Sequence, residues 1–87
     1  MRFRLEGASA ASGTSVGAAS TVSDATEVLA VNTHTAAVLV TLANSADATM
    51  GSFNLPSGDS AILVKGSSDQ VFAGHVGVTL SPINTRV

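Results

Sequence analysis

Apolar residues recur at every second position in much of the stretch 27–80. That period suits a strand, because on a helix it would scatter the apolar side chains around the whole circumference. Val76, Val78 and Leu80 alternate with His75, Gly77, Thr79 and Ser81, which predicts a half-buried strand. Ile62 and Val64 alternate with Ala61, Leu63 and Lys65. Residues 36–42 are apolar on both faces, as a central strand covered on two sides would be. Val, Thr and Ile, stiff at χ1, favour the pleated backbone. Turn-forming residues separate the runs: Asn32-Thr33-His34-Thr35, Asn44-Ser45-Ala46-Asp47, Pro56-Ser57-Gly58-Asp59, Gly66-Ser67-Ser68-Asp69 and Gly74. In the third, Pro56 presets φ for the first central position and Gly58 tolerates positive φ. The spacing predicts strands over 27–31, 36–43, 49–55, 60–65, 70–73 and 75–80, with Pro82 ending the last. The expected fold is all-β, a compact antiparallel meander forming a small sandwich or barrel.

Residues 1–24 form an N-terminal strand and arm, and 25–87 the meander, within one domain overall. Phe3 and Leu5 alternate with Arg2, Arg4 and Glu6, so the first residues suit a short edge strand with a charged side. From 7 to 23 only Val16 and Val22 are larger than Thr. Such a segment buries too little apolar area to offset its ordering entropy alone. It reads as a Gly/Ala/Ser-rich arm that orders against another subunit, as a small-residue strand under the meander, or as a free flexible arm. The candidate partner contacts are Arg2, Phe3, Arg4, Leu5, Val16 and Val22.

How much core such a chain can build decides what else it needs. Its 87 residues include fourteen Ala but only seven Leu, two Ile and three Phe, and no Cys. A domain of this size buries only ~60–65% of its extended-chain surface. Much of the stability is therefore expected from partners, either copies of the chain in a homo-oligomer or a larger assembly. The net charge of −2, with four Lys and Arg in all, lacks the clustered cations that nucleic acid requires. No run is long and apolar enough to be read as a spanning helix, and Met1-Arg2-Phe3-Arg4-Leu5 lacks the apolar middle of a signal peptide. The expectation is a protein without a signal peptide and without a membrane or nucleic-acid partner.

Candidate chemistry is sparse. Gly13-Thr14-Ser15-Val16-Gly17 matches the G-x-S-x-G pattern, but the nucleophile elbow needs a strand turning into a helix atop a large α/β sheet. His34 and His75 would have to recruit Asp47, Asp59 or Asp69 for a metal, and no spacing among them suggests it. Those Asp residues suit turns, where a carboxylate accepts backbone N–H groups. No cofactor and no enzymatic activity are expected. Phe53 and Phe72 read as core anchors.

Several segments together carry a resemblance: Val31-Asn32-Thr33, Ala37-Val38-Leu39-Val40-Thr41, Gly51-Ser52-Phe53-Asn54-Leu55-Pro56-Ser57-Gly58, Ile62-Leu63-Val64-Lys65, Asp69-Gln70-Val71-Phe72-Ala73 and Val78-Thr79-Leu80-Ser81-Pro82-Ile83. The chain resembles the small β-rich structural proteins of tailed-phage virions. That resemblance implies a non-enzymatic virion part made in a host cytoplasm, for instance a capsid decoration or cement protein whose partner is the major capsid protein or another virion protein. A neck or tail component and a receptor- or glycan-binding β module are the alternatives.

Overall fold

The computed structural model describes residues 3–85. Among these residues eight strands form, β1 (Arg4–Leu5), β2 (Ala10–Ala11), β3 (Glu27–Asn32), β4 (Val38–Ala43), β5 (Thr49–Leu55), β6 (Ser60–Val64), β7 (Gln70–Ala73) and β8 (Val78–Asn84), with one 3-10 turn at Val16–Ala18. No helix among the described residues is long and apolar enough to cross a membrane. Two antiparallel sheets pack face to face. One runs β1-β8-β3-β6, with β2 following β1 along the same edge of β8, and the other runs β5-β4-β7. The expected all-β antiparallel sandwich is what forms, and it does not close into a barrel.

Strand order departs from a simple meander. Only β4 and β5 are neighbours both in sequence and in a sheet. The pairing is nested instead: β1 and β2 with β8, Ser20 with Val71 of β7, β3 with β6, and β4 with β5. Nested pairing across two sheets is the winding of a jelly roll, in which the second strand is here reduced to one bridge at Ser20. The arm is thus laid along its own sandwich. Ser12 N–H donates to Val78 O at 2.8 Å, Ala73 N–H to Gly13 O at 3.1 Å, and Val71 N–H to Ser20 O at 2.8 Å.

Pro82 does not end the last strand, which continues to Asn84. Its carbonyl accepts Glu6 N–H at 2.9 Å, so the donor that proline lacks would also face the N-terminal edge. That edge breaks between β1 and β2, where Gly7 lies so close that an added Cβ would meet Pro82 Cγ at 2.9 Å. The missing N–H therefore interrupts no pairing between β8 and β3, which runs unbroken from Val28↔Pro82 to Asn32↔Val78. The strands expected from 36 and from 75 begin later, at Val38 and Val78.

The Pro56–Asp59 reversal closes by a 3.1 Å bond from Asp59 N–H to Pro56 O, with Gly58 at φ +76°. Pro56 thus stands at the turn's first corner rather than its first central position. The core is shallow and made of small residues. Val28, Ala30, Val78 and Leu80 of one sheet meet Val38, Val40, Leu55, Val71 and Ala73 of the other. No Phe, Ile or Leu falls below 2% exposure, and Val28, Val40, Val71, Val78 and Asn32 are the largest side chains that do. Phe53 packs half-buried against this core. Phe72 does not: it lies opposite Thr41, between the inward Val71 and Ala73, and so faces outward. On the same outer face of β4, Leu39 is 47% exposed whereas Thr41, beside Phe72, is 7% exposed.

Candidate partner-binding face

Because strand residues alternate between faces, the pairings of the β1-β8-β3-β6 sheet fix what its outer side carries. Val28, Ala30, Leu80 and Ala61 point into the core, so Leu29, Val31, Ile62 and Val64 point out. Leu29 stands between Ser81 and Ile62, and Val31 between Thr79 and Ser60. At the N-terminal edge Leu5 pairs with Ile83, which adds Leu5 to the same face, where Ser81 and Ile83 of β8 are themselves buried. Phe3, two residues earlier, is half-buried. Leu5 is 65% and Val64 76% exposed.

Glu27 is the one ionisable residue that the pairings place on this outer face, and its carboxylate is engaged: Oε1 accepts Thr85 N–H at 3.0 Å and Oε2 the Thr85 hydroxyl. The result is an apolar sheet face without a free-standing charge pattern. A second apolar feature adjoins it. Between the free edges of β5 and β6 lies a groove of about 400 Å³, lined chiefly by Leu42, Met50, Phe53, Leu63 and Val64.

The residues singled out as contacts scatter. Phe3 and Leu5 belong to this end of the face. Arg4 points to the other side of β1, with its guanidinium 3.7 Å from Glu6 in an exposed pair, a geometry worth little. Val16 sits half-buried in the 3-10 turn against β7, remote in topology from β1. Val22 is not available to a partner, being 7% exposed and part of the core. Arg2 lies outside the described residues. Sequence reasoning missed Val64 as exposed and Leu29, Val31 and Ile62 as half-buried on an outer face. The signal was present: Val28-Leu29-Ala30-Val31 is apolar on both faces, and a two-sheet domain has only one inside.

The remaining candidates find structural employment. Ser15 precedes a three-residue 3-10 turn, not a strand-to-helix junction. Among the described residues no group of three or more His, Asp or Glu is placed to hold a metal. His34 and His75 stack, with ring centroids 3.7 Å apart and planes at 18°, and His75 Nδ1 accepts Gly77 N–H. Asp69 Oδ2 accepts Gly66 N–H at 3.0 Å, whereas Asp47 Oδ1 accepts the Gln70 side-chain amide. Lys65, just beyond β6, is buried, and its Nζ donates to Gly66 O at 3.1 Å. Burial pushes its ammonium below the ordinary lysine range, and the charges of Asp69 and Asp24 oppose that shift. No protein-family profile, curated protein sequence or solved structure matches the chain.

Proposed function

We propose that this chain is a virion structural protein, a decoration or cement protein that binds an assembled capsid in many copies. One observation carries the reading: the outer face of the β1-β8-β3-β6 sheet presents exposed Leu5 and Val64 and half-buried Leu29, Val31 and Ile62 beside one engaged carboxylate. Leaving such a face in water forfeits ~25 cal/mol per Å² of apolar surface, and covering it recovers that amount. A small valine core supplies little stability of its own, so a surface that covers the face also stabilises the fold. The low charge content, 11% of residues, lets neighbouring copies crowd with weak repulsion. Jelly rolls serve capsids and lectins alike, so the winding does not choose between these uses. The sheet face favours the capsid: apolar and without Trp or Tyr, it suits a protein surface better than a sugar.

The mechanism is multivalent clamping. Each copy makes a modest contact, and bridging several shell subunits multiplies the effect through effective concentration. Co-sedimentation of the chain with shells of the virion that carries it tests this. Saturable binding together with a higher shell melting temperature is the expected result. Shells that bind none of the chain at saturating concentration would end the proposal.

A further inference from the structure

The free edge of β6 carries a pattern that fits a second copy of itself. Lys65 N–H donates to Thr26 O and Asn32 N–H to Asp59 O, so residues 59 and 65 direct their backbone groups toward β3. Alternation then turns Ser60, Ile62 and Val64 toward solvent, each with an N–H and a C=O that the sheet does not use. None of the five residues of β6 is charged, proline or glycine, the devices that ordinarily blunt an edge. The β5 edge beside it, Thr49–Leu55, is equally uncharged.

We propose that two copies pair antiparallel through β6 about a two-fold axis, with Ile62 opposite Ile62 of the second copy. This register alone uses all three free residues as hydrogen-bonded pairs: Ser60 with Val64, Ile62 with Ile62, and Val64 with Ser60. A slip of two residues either way keeps two, and a slip of one keeps none. It also sets Leu63 opposite Ala61 and, one step beyond the strand, Lys65 opposite Asp59 in both directions. Lys65 Nζ already donates to Gly66 O and lies in the field of Asp69 and Asp24, and Asp59 is exposed, so the dimer adds one further opposite charge beside each Lys65 on the same sheet face. The added charge is consistent with the register that the backbone selects. The dimer would join two sandwiches edge to edge into one continuous sheet, extend the apolar face across both copies and narrow the mouth of the groove between β5 and β6.

Five residues at ~3.4 Å each give an edge ~17 Å long, too short to bury the ~800 Å² per partner of a standing dimer. The association is therefore weak and concentration-dependent, and most populated where copies crowd on a surface. It goes beyond the virion reading and does not depend on it.

Sedimentation equilibrium over a concentration series tests the pairing with three proteins. The unmodified chain should move from monomer to dimer. Asp59→Lys, a change at an exposed turn, should weaken dimerisation about tenfold by setting lysine against lysine at both ends. Because the chain has no cysteine, Ile62→Cys should oxidise to a covalent dimer much faster than Leu39→Cys, the ~5.5 Å Cα separation of a hydrogen-bonded pair being within disulfide reach. A monomer at every concentration would overturn the proposal. So would a dimer indifferent to Asp59→Lys, or equal oxidation at positions 39 and 62. A chain that pairs as described yet leaves shells unbound would support the pairing while ending the virion reading.

Discussion

Asn32 donates its side-chain amide to the carbonyl of Leu55 at 2.8 Å, joining β3 of one sheet to β5 of the other. The same amide donates to Ala36 O at 3.0 Å, and Oδ1 accepts His34 N–H at 2.8 Å, so one side chain at 0% exposure holds the connection between the sheets. Replacing it leaves three backbone groups without their partner, two of them carbonyls. Asn32→Ala should destabilise by about 3 kcal/mol, and Asn32→Leu by a similar amount despite its larger apolar volume. Chemical denaturation of the two variants measures this; a stabilising Asn32→Leu would show that the amide is dispensable.

Val22, Ser23 and Asp24 all have positive φ, between 53° and 58°, and form one left-handed turn closed by Ala25 N–H to Val22 O. Such backbone costs a non-glycine residue ~1–2 kcal/mol. Val22 holds its place because its side chain fills the core, while Ser23 and Asp24 are exposed. Ser23→Gly and Asp24→Gly should each therefore stabilise by about 1 kcal/mol, read as a rise in melting temperature of several degrees.

Lys65 is the chain's one lysine, and there is no Tyr or Cys. Its ammonium titrates below the ordinary 10.5 in the folded chain because burial disfavours the charge. A depressed folded value means that the unfolded chain holds the proton more tightly. Stability should then rise with pH through the window between the lowered value and 10.5, and be lost again as pH falls back through it. Lys65→Met should flatten this alkaline limb. Thermal melts between pH 8 and 11 read both effects.

Gly13 approaches the 3-10 turn so closely that an added Cβ would meet Ala18 O at 2.1 Å. Gly13→Ala should therefore displace the turn and weaken the bond from Ala73 N–H to Gly13 O, with faster amide exchange at Ala73 and Val71. Unchanged protection at both amides would mean that the arm is held elsewhere.

On the outer sheet face, Val64→Lys at 76% exposure and Leu5→Lys at 65% change no core contact. Each should leave stability within about 0.5 kcal/mol and weaken shell binding by about tenfold, as loss of an interface anchor does. The double variant should bind no shells detectably in the same co-sedimentation assay.

Much of this was legible in the chain. Alternation in Val78-Thr79-Leu80 and in Ala61-Ile62-Leu63-Val64 fixed strands and their two faces, because side-chain direction in a strand follows from local geometry alone. Gly58 marked its reversal for the same local reason. What lay beyond the sequence was which strands are neighbours. The bridge from Ser20 to Val71, the pairing of Glu27 with Val64 and the passage of β8 through Pro82 join residues far apart in the chain, and no nearby residue records such a partner. The inside of the protein was settled only then. Val22 and Val64 look alike as sequence, and nested pairing of the two sheets buries the first in the core and leaves the second on the surface.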